Sequence, residues 1–479
     1  MLIPLQLPPG VHANGTEFES SNRWREASLV RWHDGSMRPV GGWTVRKSSA
    51  FAYAPRAMIS YLDNDSDEHM AAGTYEKLYY VNPALTVTDI TPSSGFTSGT
   101  LNGALNLGYG GGFMGATNYG RAPTSSGVYA EATTWSLDTW GEYLLGVSST
   151  DGKLLEWQGN PSANAAVVAN APVDNLAMVV TEERFVFCLG AGGNPRKVAW
   201  SDKEDNTSWT AAATNEAGDM ELQTNGQIMC GVRMRGATLI LTSEDAHLAT
   251  YSGAPFVYGF QRVGTACGIA SRKAAVAIDE GAFWMGKKGF FTFNGSTATE
   301  ISCEVADYVF DDLNPSQVSK VYAVHNSQFG EIWWFYPSSS ATENDRYVTL
   351  DYKEGHWATG VIDRTAGVDQ GIFVNPIWAD ASGNLYNQET GYTHGSVKPY
   401  AESGSISLGN GDNIMKVNKL IPDERTQGQV EVTFKTRFHP NDTETSHGAY
   451  TLSNPTDVRF TGRQVRVKIQ GTANDNWRS

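Results

Sequence analysis

Residues 151–157 read Asp151-Gly152-Lys153-Leu154-Leu155-Glu156-Trp157, a tight turn followed by an apolar run that ends on an aromatic ring. The same texture returns as Glu76-Lys77-Leu78-Tyr79, as Lys288-Gly289-Phe290-Phe291 and as Ser382-Gly383-Asn384-Leu385-Tyr386. The gaps between these segments lie near whole multiples of roughly 40–50 residues, the length of one β-propeller blade.

Working outward, apolar or alternating runs lie at 56–62, 77–81, 143–147, 153–157, 176–180, 184–189, 228–232, 238–242, 247–251, 274–278, 282–285, 289–293, 321–324, 331–336 and 346–351. β-branched and aromatic residues dominate them, and Gly, Asn, Asp or Pro separates them, as in short strands joined by turns. About twenty such strands at four per blade make about five blades, and strands with weaker patterns would raise that to six or seven. A pair of large β-sandwiches is the alternative architecture. One segment breaks the rule: within 303–313, Val305, Val309 and Phe310 recur at helical spacing before Asn314-Pro315, which predicts a short helix.

The expected fold is therefore all-β, a propeller of about five to seven blades with a smaller β-domain beside it. Residues 1–50 form an N-terminal platform or docking segment and 51–391 form the propeller. The Gly/Ser-rich stretch near 93–126 reads as a long loop or insertion. Residues 392–479 form a C-terminal β-domain, in which 429–438 alternates strictly, as a half-buried antiparallel strand does.

Composition agrees with this reading. The 479 residues include 50 Gly and 14 Trp, and only 18% are charged, which argues against coiled coils and helix-rich enzymes. No stretch approaches the ~20 apolar residues of a spanning helix, so no membrane span is expected. Cys188, Cys230, Cys267 and Cys303 lie far apart and form no Cys-x-x-Cys motif. They read as small buried hydrophobes in a chain folded in a reducing compartment, although four cysteines also suffice for two bridges.

The net charge is -15, with residues 1–50 carrying +2 and 400–479 carrying +1, so the middle of the chain holds -18. An acidic body repels DNA and cannot grip phosphate by counterion release. The same acidity also serves plain solubility.

The chemical motifs are near misses. Gly281-Ala282-Phe283-Trp284-Met285-Gly286-Lys287-Lys288 resembles a phosphate loop, but Lys288 stands where Ser or Thr must bind magnesium, so it reads as a strand and a basic turn. Asp63-Asn64-Asp65-Ser66-Asp67 starts like a calcium loop, but Glu68 occupies the position of the turn glycine and Thr74 that of the last ligand, so it reads as an inter-strand turn. Asp202 to Trp209 resembles a propeller turn box without its glycine and reads as a blade turn. No nucleophile elbow or His-Glu-x-x-His motif occurs. No catalytic residue, cofactor site or metal site is expected.

The most distinctive segment is N-terminal: Asn22-Arg23-Trp24, then Leu29-Val30-Arg31-Trp32-His33-Asp34-Gly35-Ser36-Met37-Arg38-Pro39-Val40-Gly41-Gly42-Trp43. Trp and Arg are the usual anchors of interfaces. Trp24, Arg31, Trp32, Arg38 and Trp43 are therefore the candidate interface residues. The competing reading is a local hairpin core with Arg stacked on Trp.

Several segments together resemble the tail hub or nozzle proteins of short-tailed phages, the packaged-DNA stabilisation proteins. They are Gly35-Ser36-Met37-Arg38-Pro39-Val40-Gly41, the strand and acidic turn over 184–209, the strand pair and Gly-Ile-Ala run over 226–271, the short helix near Val305 and the alternating C-terminal strands. The resemblance implies a propeller on a platform built from both chain ends. It also implies a homo-oligomeric ring, a hexamer, below the portal adaptor or head-to-tail connector, with tail fibre, spike or needle proteins as further neighbours. Genomic DNA would pass through the channel without sequence-specific binding. The location implied is the virion tail, assembled in the host cytoplasm. Two other classes stand beside it: a propeller glycosidase or depolymerase, which calls for an acidic pocket at the propeller axis, and a carbohydrate-binding adhesion module, which calls for exposed aromatic platforms.

Overall fold

A computed structural model describes residues 4–104, 130–279, 281–407, 413–422, 428–472 and 474–478. Seven four-stranded antiparallel sheets follow one another along the chain, at 57–89, 135–167, 177–221, 228–265, 275–301, 322–361 and 366–388. In each of the first six, four consecutive strands pair in order, so the sheet is a simple meander. The first strands of the seven sheets, beginning with Ala57–Leu62 and ending with Ala366–Val368, pack side by side in a closed circle. This is a seven-bladed β-propeller, and the closed circle rules out paired sandwiches.

The seventh blade is a composite. Ala366–Val368, Ile377–Ala379 and Leu385–Gln388 supply three strands, and Trp43–Lys47 from the N-terminal segment pairs with Leu385–Gln388 as the fourth. The last part of residues 1–50 thus belongs to the ring.

Blade six shows how sequence makes the core. Its strand Glu331–Tyr336 (Glu-Ile-Trp-Trp-Phe-Tyr) is buried along its whole length. Successive strand side chains point to opposite faces. Ile332, Trp334 and Tyr336 join a core shared with blade five, where Trp334 lies 4.9 Å from the Phe290 ring. Trp333 and Phe335 join a core shared with blade seven, where Trp333 lies 5.3 Å from Trp378. Both indole N–H groups of this strand find acceptors: Trp334 donates to the Ala274 carbonyl at 3.0 Å and Trp333 to Glu331 at 2.9 Å. A strand covered on both faces needs no polar alternation, hence the continuous aromatic run.

A second β-domain is woven from both chain ends. Trp24–Ser28, Tyr400–Ser403, Gln464–Gly471, Val430–Arg437 and Thr445–Thr451 lie side by side in that order, and Ile406–Ser407 also pairs with Gln464–Gly471. Met415–Leu420 pairs with Thr456–Gly462 beside it. Val432, Phe434, Val458, Phe460, Val465 and Val467 form its interior, continuous with the core of blades five and six. The strand Trp24–Ser28 packs on the outer strand His356–Val361 of blade six, and the Val11 N–H donates to the Trp357 carbonyl at 2.7 Å.

The short helix is Ala306–Asp312, with Val309 buried. In the Gly/Ser-rich stretch near 93–126, residues 93–104 contain no strand beyond a single bridge at Ala104, and 105–126 lie outside the described residues. Asp63 caps the turn between the first two strands of blade one, accepting from the Asp67 amide at 2.8 Å. Gly281–Met285 is a strand, and Lys287 in the turn after it pairs with Glu244. All four cysteines are free.

Candidate functional site

The N-terminal hairpin Val30–His33/Ser36–Pro39 carries most of the candidate interface residues. Alternation in Val30–His33 sends Arg31 and Trp32 to opposite sides. Both are buried, Arg31 at 2% and Trp32 at 4% exposure. Trp24 is buried too and lies 6.3 Å from the Trp32 ring. Arg38 and Trp43 are half-buried. Trp24, Arg31 and Trp32, expected as interface or docking residues, are buried within the subunit, where they pack in its own core and ion cluster. The hairpin reading is nearer the observed packing, with a different stacking partner: Arg31 lies over Phe329, 3.6 Å from the ring centre. Trp43 sits beside His394 and under Arg364. Arg38 donates to the His33 carbonyl at 2.8 Å.

Arg31 is the centre of a buried ion cluster. Its Nε lies 2.8 Å from Glu331 Oε1, and its Nη1 donates to Glu389 Oε2 at 3.1 Å. Further donors complete the carboxylates. The Asn326 amide reaches Glu389 at 2.9 Å, the Gly41 N–H reaches it at 2.9 Å, and the Trp333 indole serves Glu331. Burial opposes the charge on Arg31, but Glu331 and Glu389 outweigh it and hold the guanidinium above its ordinary range. Burial pushes the Glu331 carboxyl up, against the pull of Arg31. Two carboxylates and one guanidinium survive in the interior because nearly every lone pair has a donor. The cluster ties the hairpin to blades six and seven and forms one wall of a small cavity of about 130 Å³.

The larger cavity, about 480 Å³, lies on the propeller axis and is lined from the innermost strands and their ends in blades two to seven. Its charged groups are Asp138, Arg233, Arg272, Lys273, His325 and Asp369. Asp138 accepts from the Val180 N–H at 3.0 Å and lies 3.6 Å from Arg233. Arg272 is paired with Glu131, and His325 lies 3.1 Å from Asp369. Burial raises the Asp138 carboxyl against Arg233, and burial lowers the Lys273 ammonium. Burial also pushes the neighbouring Cys230 thiol up to about 12, so it stays protonated. Sequence reading missed this site. Its residues are single polar positions on separate strands, and only the register of the blades brings them together.

A third cluster joins His33, Asp34 and Glu354, whose ligand atoms lie within 4.8 Å of one another. It sits at the hairpin turn with both carboxylates on the surface side, and Arg38 lies 3.6 Å from Asp34. These three residues could hold a divalent cation, though Arg38 already offsets part of their charge.

Fold and site together define a class: a seven-bladed propeller closed by an N-terminal strand, with a second β-domain built from both chain ends. No protein-family model matches the chain, and no curated protein matches it. Among solved structures, the chain is similar to virginiamycin B lyase from Staphylococcus aureus, with a TM-score of 0.43, 6% identity and coverage of 72% of this chain and 98% of that one. A structure described as YCF48 bound to D1 peptide gives a TM-score of 0.41 at 7% identity, covering 73% of this chain and 97% of that one. The fold assignment rests on the chain's own strand pairing and closed ring.

Proposed function

We propose that this chain is a structural protein of a short-tailed phage tail, a hub or nozzle subunit that forms a ring-shaped channel, retains packaged DNA and passes it on ejection. The observation that carries the proposal is the platform: both chain ends leave the propeller and interleave in one sheet, the arrangement that the sequence resemblance calls for. One edge of that sheet is open. Among the described residues, Thr445–Thr451 pairs only with Val430–Arg437, and most of its residues are exposed. An open edge offers backbone groups for strand addition from another subunit.

The alternatives draw less support. A glycosidase calls for an acidic axial pocket, whereas Asp138 and Asp369 share the pocket with Arg233, Arg272 and Lys273. An adhesion module calls for exposed aromatic platforms, whereas all fourteen tryptophans are buried or half-buried.

Light scattering and electron microscopy of the purified chain, alone and with a portal adaptor, test the proposal. A closed ring of about six copies with an open centre is expected. A monomer that stays a monomer with the adaptor present, or turnover of a polysaccharide, would overturn it.

A further inference from the structure

Lys273 is the one lining cation of the axial cavity whose charged group has no hydrogen-bond or ion-pair partner among the described residues. Arg233 faces Asp138 and donates to the Val180 carbonyl, and Arg272 is held by Glu131. The Lys273 backbone is fixed on both sides. Its N–H donates to Ser271 at 3.2 Å, and its carbonyl accepts from the Ala323 N–H at 2.7 Å in blade six. These bonds hold the Lys273 backbone at the cavity wall.

Lys273 is half-buried, and it lines the cavity within the ring of innermost strands. Asp138 and Cys230 are its nearest electrostatic neighbours, and Asp138 is already engaged by the Val180 amide and Arg233. A protonated thiol offers no countercharge. The cavity beside the amine, about 480 Å³, falls in the size range of small-molecule sites. Low-dielectric walls focus the field of such a charge into the cavity.

We propose that the axial cavity binds a compact oxyanion, a phosphate- or carboxylate-bearing small molecule, with Lys273 as its charge partner and Arg233 beside it. The site stands apart from the platform and the open sheet edge, so it does not depend on ring assembly.

Calorimetric titration of the full chain with inorganic phosphate and with citrate, at constant ionic strength and with glucose as the neutral control, tests this. One of the two anions is expected to bind saturably at one site per chain, and glucose is not. Lys273→Met should weaken that binding by at least about tenfold, the scale of a desolvated charge contact. Lys273→Arg should restore it, and Lys398→Met on the exposed surface should leave it unchanged. Denaturant unfolding of Lys273→Met separates binding from folding: the variant should be about as stable as the parent, because the ammonium makes no hydrogen bond or ion pair for the substitution to break. Absence of saturable binding by either anion, or equal binding by the parent and a folded Lys273→Met, would overturn the proposal.

Discussion

Arg31 and Glu389 lie 358 residues apart and meet as a two-pronged ion pair, Nη1 to Oε2 at 3.1 Å and Nη2 to Oε1 at 2.5 Å. The pair joins the N-terminal hairpin to the end of the last blade, in an interior where Glu331 shares the same guanidinium at 3.0 Å.

Arg31→Met should therefore destabilise the chain by about 3–5 kcal/mol, because it leaves two carboxylates buried without their counterion. Adding Glu331→Gln and Glu389→Gln to it should recover part of the loss. Denaturant unfolding measures both, and a loss within ~0.5 kcal/mol for the single variant would show that the cluster is hydrated and weak.

Trp32→Ala should lower the stability of the isolated subunit by about 3–5 kcal/mol, the cost of deleting a large buried ring. Trp43→Ala should cost less, since Trp43 is half-buried. If Trp32→Ala instead left the melting curve untouched and reduced only oligomer size, the burial described for Trp32 would be wrong.

Gly383 tests the closure of the seventh blade. Its φ is +77°, and a Cβ there would lie 2.2 Å from the Phe51 carbonyl oxygen. Backbone cannot yield as a side-chain tip can. Gly383→Ala should cost more than about 2 kcal/mol through strain and overpacking together. A thermal shift assay reads this directly, and an unchanged midpoint would refute the close approach.

Lys320 predicts a pH effect. Its amine donates to Asn102, to the Thr342 carbonyl and to Glu343. Burial, then Arg56, pushes its pKa down to about 8, against the pull of Glu343. A lysine with a lowered folded pKa surrenders its proton first in the native state, so the unfolded chain holds more protons above pH 8. Stability should then rise with pH from about 8 toward the free-lysine value. Lys320→Met should flatten that rise relative to the parent, measured as unfolding midpoints from about pH 7 to about pH 9.5. Parallel profiles for the two proteins would show that another group is responsible.

Much of the ring was legible in the sequence, and its gaps have a physical cause. Glu331–Tyr336 and Arg346–Asp351 stand at the expected bounds because strands buried on both faces leave continuous apolar runs. Gly218–Glu221 and Thr445–Thr451 were not legible, since outer strands face solvent and carry little pattern. Trp43–Lys47 was missed for a further reason: its partner Leu385–Gln388 lies near the other end of the chain. The site was least legible. Arg31 reads as a surface anchor until Glu331 and Glu389 are brought beside it, and Lys273 gains meaning only when six strands surround it.

The strand Trp43–Lys47 is made early in synthesis, yet it has no sheet to join until Leu385–Gln388 has left the ribosome. The seventh blade therefore stays one strand short until residues 385–388 are made, and the strand that completes it follows closely on the platform strand Trp24–Ser28. One N-terminal segment thus ties the last blade to the platform sheet.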